Sequence, residues 1–108
     1  MSAKTKAEWE KLSSNLNFNN EAFINGNFVK AQSEKTFDCF NPSNGKLLTK
    51  VSSCDETDVD SAVKSCRKAF DNGHWSRMSP TERKKILLKL SDLILKNHNE
   101  LALLDSMD

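Results

Sequence analysis

The chain is poor in the residues that build tight backbones and cofactor loops, with 3 Gly, 2 Pro and no Tyr in 108 residues. Three isolated glycines, Gly26, Gly45 and Gly73, cannot make a G-x-G-x-x-G phosphate turn, which excludes a complete dinucleotide fingerprint. No apolar run approaches the roughly 18 residues of a membrane span, so no membrane partner is expected. Neither sign of charge prevails: 16 Lys+Arg against 15 Asp+Glu leave a formal +1. A nucleic-acid binder gathers an excess of Lys and Arg on one face, so no nucleic acid is expected either. On that balance Arg83, Lys84, Lys85 and Lys89 read as the solvated face of a helix. Met1 to Leu12 contain no apolar h-region, and the chain reads as cytoplasmic.

Cysteine is scarce and scattered. Cys39, Cys54 and Cys66 make an odd, widely spaced set, which argues for small packed thiols rather than a disulfide framework. Together with His74 and His98 they lack the close ligand pairs of a structural zinc site. The length suits one ordinary domain, yet apolar residues reach only 37% and aromatics 7%. A chain with so little to bury is expected to rely on surface supplied by something else.

Periodicity places the elements. Residues 3–16 predict a short helix with Ala7, Trp9, Leu12 and Leu16 as apolar members, followed by an Asn- and Ser-rich linker to residue 20. Asn25-Gly26 between Phe23-Ile24 and Phe28-Val29 predicts a hairpin with a type I′ turn. Thr36–Phe40 and Lys46–Ser52 predict two more strands around Asn41-Pro42-Ser43-Asn44-Gly45, giving one antiparallel sheet of three or four short strands. Asp55 then caps a helix carrying Val59, Ala62, Val63, Cys66 and Phe70, which Gly73 ends. Ser79-Pro80-Thr81-Glu82 is a capping box opening a second helix with Ile86, Leu87, Leu90, Leu93 and Ile94. Asn97 with Glu100 predicts a further cap and a restart near His98. The expected class is α+β: an N-terminal helix, a small antiparallel sheet and two to three helices. Residues 1–20 form one segment and 21–108 the next. The apolar pattern runs through Leu101, Leu104 and Met107 to Asp108 without a cap, so the sequence is expected to be the front part of a longer protein.

Phe23-Ile24-Asn25-Gly26, Asn41-Pro42-Ser43-Asn44-Gly45, Asp58-Val59-Asp60-Ser61-Ala62-Val63, and Trp75 ahead of Ser79-Pro80-Thr81-Glu82-Arg83 occur in one order. In that order they resemble the N-terminal segment of the NAD(P)-dependent aldehyde dehydrogenase superfamily, from about Phe23 to Asp108. The pattern is most similar to the gamma-glutamyl-aminobutyraldehyde and betaine-aldehyde branches. Asn44 departs from the Thr or Ser usual there.

The resemblance implies part of an α/β Rossmann-like cofactor domain. It also implies a chemistry in which a cysteine thiolate attacks the aldehyde, hydride passes to NAD or NADP, and a glutamate-activated water releases the acid. It implies an aldehyde substrate and a homo-oligomer for the full-length family. The nucleophile, base and cofactor site lie beyond residue 108, so the resemblance implies no catalytic and no cofactor-binding residue here and an inactive chain that binds neither NAD nor NADP by itself. It implies one partial site, a structural monovalent cation held by the main chain of Cys39 and Phe40 and the carboxylate of Asp108. The alternative is a self-standing interaction module that docks on a partner, or on full-length subunits, through Ile86, Leu90, Leu93, Leu101 and Leu104.

Overall fold

A computed structural model describes residues 3–108, so the first two residues of the Met1–Leu12 stretch and of the 1–20 segment lie outside it. The elements follow in the order α1 (Lys6–Ser14), β1 (Ala22–Ile24), β2 (Asn27–Val29), β3 (Thr36–Phe40), β4 (Leu47–Ser52), α2 (Glu56–Asn72), α3 (Pro80–Lys96) and α4 (His98–Met107). The class is mixed α+β, as expected.

Local chemistry fixes each element. Asn25 and Gly26 sit at φ 52° and 78°, the left-handed pair that a type I′ turn needs, and Phe23 stacks on Phe28 across the hairpin at 5.1 Å. Three helices open on reciprocal capping boxes: Thr5 with Glu8, Asp55 with Asp58, and Ser79 with Glu82. In each, the cap side chain accepts a first-turn amide while the carboxylate three residues on accepts the cap's own N–H. The Thr5 box, legible as Thr-x-x-Glu, starts α1 later than residue 3. Gly73 ends α2 at φ 73°, the left-handed cap that a Cβ would strain.

Two expectations need correction. The strands do not join into one sheet: β1–β2 and β3–β4 are separate antiparallel pairs. Their connection turns through Ala31–Glu34, where Glu34 lies at φ 55°, and this carries the chain away before a third strand can pair. The first pair packs on α2 instead. Nor does Asn97 cap α4 through its side chain. Its φ of −105° and ψ of 14° are not the extended geometry of an N-cap, and its amide donates backward to the Leu93 carbonyl at 2.8 Å. The restart at His98 is real, but Asn97 closes α3 rather than opening the next helix.

The chain is a slab of 48 × 41 × 17 Å with a radius of gyration of 17.9 Å, against about 13 Å for a compact chain of this length. It exposes 8879 Å², where a compact monomer of this mass exposes about 6,100 Å². Ala31 is the buried apolar residue among those described, at 2% exposure; beside it the buried polar residues are Asp58 at 4% and Asn41 at 8%. On α2, the half-buried face is Ser61, Ala62 and Ser65, while Val59, Val63 and Phe70 look outward.

Polar staples do the joining. Asp58 Oδ1 accepts the Gln32 amide at 3.0 Å while its Oδ2 accepts the Asp55 amide at 3.0 Å, so one carboxylate both closes the α2 cap and ties the hairpin's exit to the helix. Asn41 folds the β3–β4 turn onto itself: its Oδ1 accepts from the Ser43 amide and its carbonyl accepts from Gly45. Asn44 Oδ1 accepts the Lys46 amide, the work of a small turn residue. Ser52 and Ser53 donate amides to Asn20 and Lys35, holding the linker and the inter-sheet loop along β4.

Replacing Asp58 with Ala leaves two part-buried amides without their acceptor and costs about 2 kcal/mol; hydrogen exchange should accelerate at the Gln32 amide, with the milder Asp58→Asn in between. A second outcome concerns acid. The Thr5, Thr57 and Ser79 hydrogen bonds hold Glu8, Asp55 and Glu82 below the usual carboxylate range. Their stabilisation is full above the unfolded carboxylate values and is lost as pH falls through the lowered folded ones. Far-UV circular dichroism should therefore show helix loss below about pH 4, and Glu82→Gln should flatten the part contributed by α3.

Candidate functional site

Of the residues implied for a cation, the structure brings Cys39 and Asp108 together through the Cys39 side chain. β3 carries Cys39 and Phe40, and α4 ends at Asp108. The Cys39 Sγ lies 3.0 Å from Asp108 Oδ1, a thiol-to-carboxylate hydrogen bond across 69 residues of sequence. Asp108 is thus engaged at the helix end, where its amide also completes the last turn to the Leu104 carbonyl at 3.0 Å. The bond to Asp108, followed by desolvation and by the carboxylate's charge, pushes the Cys39 thiol above its ordinary pKa.

Backbone geometry adds to this corner. The β3–β4 ladder shifts register between Cys39, opposite Thr49, and Phe40, opposite Leu47, so Leu48 is the extra residue of a bulge. A bulge interrupts ladder pairing and leaves main-chain groups beside it without strand partners. A cleft of about 350 Å³ opens next to it, lined among others by Phe18, Cys39, Thr49, Leu104, Asp105 and Asp108. Asp105 and Glu100 were missed in the sequence, although Asp105 stands three residues before Asp108 and so shares its helix face. Hard cations favour carboxylate and carbonyl oxygens, and the acidic residues Glu100, Asp105 and Asp108 line this cleft.

The other candidates stay apart. Cys54 and Cys66 are exposed, the first ahead of the α2 cap and the second on its outer face. His98 Nδ1 lies 2.7 Å from the Leu95 carbonyl at the α3–α4 joint, and His74 follows the Gly73 cap. Among the described residues, no three His, Cys, Asp or Glu side chains cluster as metal ligands. Lys84, Lys85 and Lys89 line the exposed side of α3, with Arg83 half-buried. Among the described residues no helix is long and apolar enough to cross a membrane.

Residues 28–108 match the model of the aldehyde dehydrogenase family. The chain belongs to that family. It is 43% identical to aldehyde dehydrogenase 1 of Tanacetum cinerariifolium over all of its length, which is 21% of that relative. Its fold superposes on the P. syringae indole-3-acetaldehyde dehydrogenase, solved with NAD+ and IAA, at a TM-score of 0.94 and 45% identity, covering 97% of this chain and 21% of that one. The gamma-glutamyl-gamma-aminobutyraldehyde dehydrogenase of Burkholderia cenocepacia matches at a TM-score of 0.91 and 39% identity, covering 94% of this chain and 20% of that one. The chain spans between a tenth and about a fifth of the curated relatives it matches. The arrangement of helices and small sheets is that of the N-terminal, cofactor-binding region of the aldehyde dehydrogenase fold.

Asp108→Asn removes the charge that favours the protonated thiol. Alkylation of Cys39 at mildly alkaline pH, followed by peptide mass spectrometry, should rise several-fold in that variant while Cys54 and Cys66 react as before.

Proposed function

We propose that this chain serves as the N-terminal part of an NAD(P)-dependent aldehyde dehydrogenase, supplying outer helices and small sheets to its cofactor domain. On this reading residues 1–20 are the N-terminal helix and polar linker, and residues 21–108 are an incomplete portion of that domain. The observation that carries the reading is a fold match at TM-score 0.94 that covers only 21% of the matched enzyme. The unburied stripes of α2 and α3 agree with it, since such faces sit inward where a complete fold surrounds them.

Among the described residues no cysteine is hydrogen-bonded to a histidine or lysine, Asp108 holds the Cys39 thiol protonated rather than activating it, and the sequence has no glycine-rich phosphate loop, so this reading assigns turnover to other parts of the family fold. In the complete enzyme, aldehyde oxidation through a cysteine adduct to NAD or NADP, assembly into homo-oligomers and a cytoplasmic location follow from the family. The substrate branch is that of amine-derived aldehydes, of the gamma-glutamyl-aminobutyraldehyde or betaine-aldehyde type; the 39% match to the Burkholderia cenocepacia enzyme supports it. Cys39 and Phe40 carbonyls at the bulge, with the Asp108 carboxylate, are the half-shell of a monovalent cation site that the remaining fold completes.

The deciding assay is aldehyde-dependent reduction of NAD and of NADP by the purified 108-residue chain. No reduction above the protein-free rate is expected, and measurable turnover overturns the reading.

A further inference from the structure

Every glycine in the sequence follows an asparagine: Asn25-Gly26, Asn44-Gly45 and Asn72-Gly73. Such a pair is prone to losing ammonia, because glycine has no Cβ to shield its amide nitrogen from the asparagine side chain ahead of it. That nitrogen must shed its proton and reach the side-chain carbonyl carbon. An amide already committed to an acceptor is therefore held back. All three asparagines are exposed, so exposure does not separate them. Hydrogen bonding does.

At the second pair the Gly45 amide donates to the Asn41 carbonyl at 2.8 Å, and Asn44 Oδ1 accepts the Lys46 amide at 2.9 Å. Nitrogen and side chain are both engaged there. At the third pair Gly73 donates its amide to the Phe70 carbonyl at 3.0 Å, and its own carbonyl accepts the Arg77 amide at 3.0 Å. Asn72 is the last residue of α2, so ring closure has to unwind a capped helix end. Gly26 differs. Among the described residues its amide has no acceptor, because the bond that closes a two-residue hairpin turn comes from the residue after the pair. The Asn25 side chain is held by the Ser65 hydroxyl alone, at 3.4 Å, longer than an ordinary hydroxyl bond. Its carbonyl accepts from the exposed side chain of Asn27 at 3.1 Å.

We propose that Asn25 is a spontaneous deamidation site, the one of the three pairs that this fold leaves free to react. The deprotonated Gly26 nitrogen bonds to Asn25 Cγ, the Cγ–Nδ2 bond breaks, and Nδ2 leaves with the proton as ammonia, giving a cyclic imide. Water then opens the imide. Opening on one side gives aspartate; opening on the other gives an isoaspartyl link in which the main chain runs through Cβ. Either product carries a new carboxylate, which cancels the formal net charge of +1. The isoaspartyl link also lengthens a turn whose two-residue size sets the strand register, and so loosens the hairpin that stacks Phe23 on Phe28. The site owes nothing to aldehyde chemistry, and the position of ammonia loss tests it separately from turnover.

The purified 108-residue chain is incubated at mildly alkaline pH and the converted residues are located by peptide mass spectrometry. Asn25 should convert first, to a mixture of aspartyl and isoaspartyl peptides, and the isoelectric point should fall from near 7.7. Having to open one hydrogen bond slows a reaction roughly fivefold, so Asn44 and Asn72 should each lag Asn25 by at least that factor. In concentrated urea the three rates should draw together, since folded hydrogen bonds make the difference. Asn25→Asp keeps a residue suited to the turn and has no amide to lose, so the early ammonia release should vanish. The proposal is overturned if Asn44 or Asn72 keeps pace with Asn25 in buffer, if the lead of Asn25 persists in urea, or if Asn25→Asp releases ammonia as fast as the parent chain.

Discussion

Thickness governs this molecule. At 17 Å across its short axis, the slab has room for little more than one helix, whose side chains alone fill about 10–12 Å. A layer needs a second layer over its apolar face before it has an interior. The apolar stripes that periodicity places on α2 and α3 consequently have no counterpart, and what lies inside is Ala31 with two polar side chains, Asp58 and Asn41.

Polar groups therefore take over the work that packing performs elsewhere. Asp58 is buried and satisfied at both oxygens, one by its own helix cap and one by the chain leaving the first hairpin. Asn41 organises its turn from within. Such bonds are directional and short-range, so they fix the relative placement of neighbouring elements without drawing distant ones together. The dimensions follow: neighbours are correctly arranged and the whole stays flat.

Whatever depends on neighbouring residues was legible in the sequence. Asn25-Gly26, Asp55, Gly73 and Ser79-Pro80-Thr81-Glu82 each act within about one turn, and each appears where its chemistry places it. The errors came where one residue had two possible partners. Asn97 can cap forward or donate backward, and the tight joint between α3 and α4 selects the Leu93 carbonyl. The division into two strand pairs turns on Glu34 adopting a left-handed conformation, which no local rule demands of a glutamate. The Cys39–Asp108 thiol–carboxylate bond joins residues 69 apart, a separation at which spacing says nothing, and the family resemblance implied only the Cys39 main chain beside Asp108. Its companion Asp105 escaped notice because its helix register mattered only once α4 was seen beside β3.

In most domains, trimming a leucine or phenylalanine opens a void, and exchanging a surface aspartate does little. Here that map of mutational sensitivity is inverted. In this chain by itself Phe70, Leu87 and Leu95 are each more than half exposed, so they can lose atoms without opening an enclosed void. An aspartate at 58 and an asparagine at 41 are the positions where a single atom is missed.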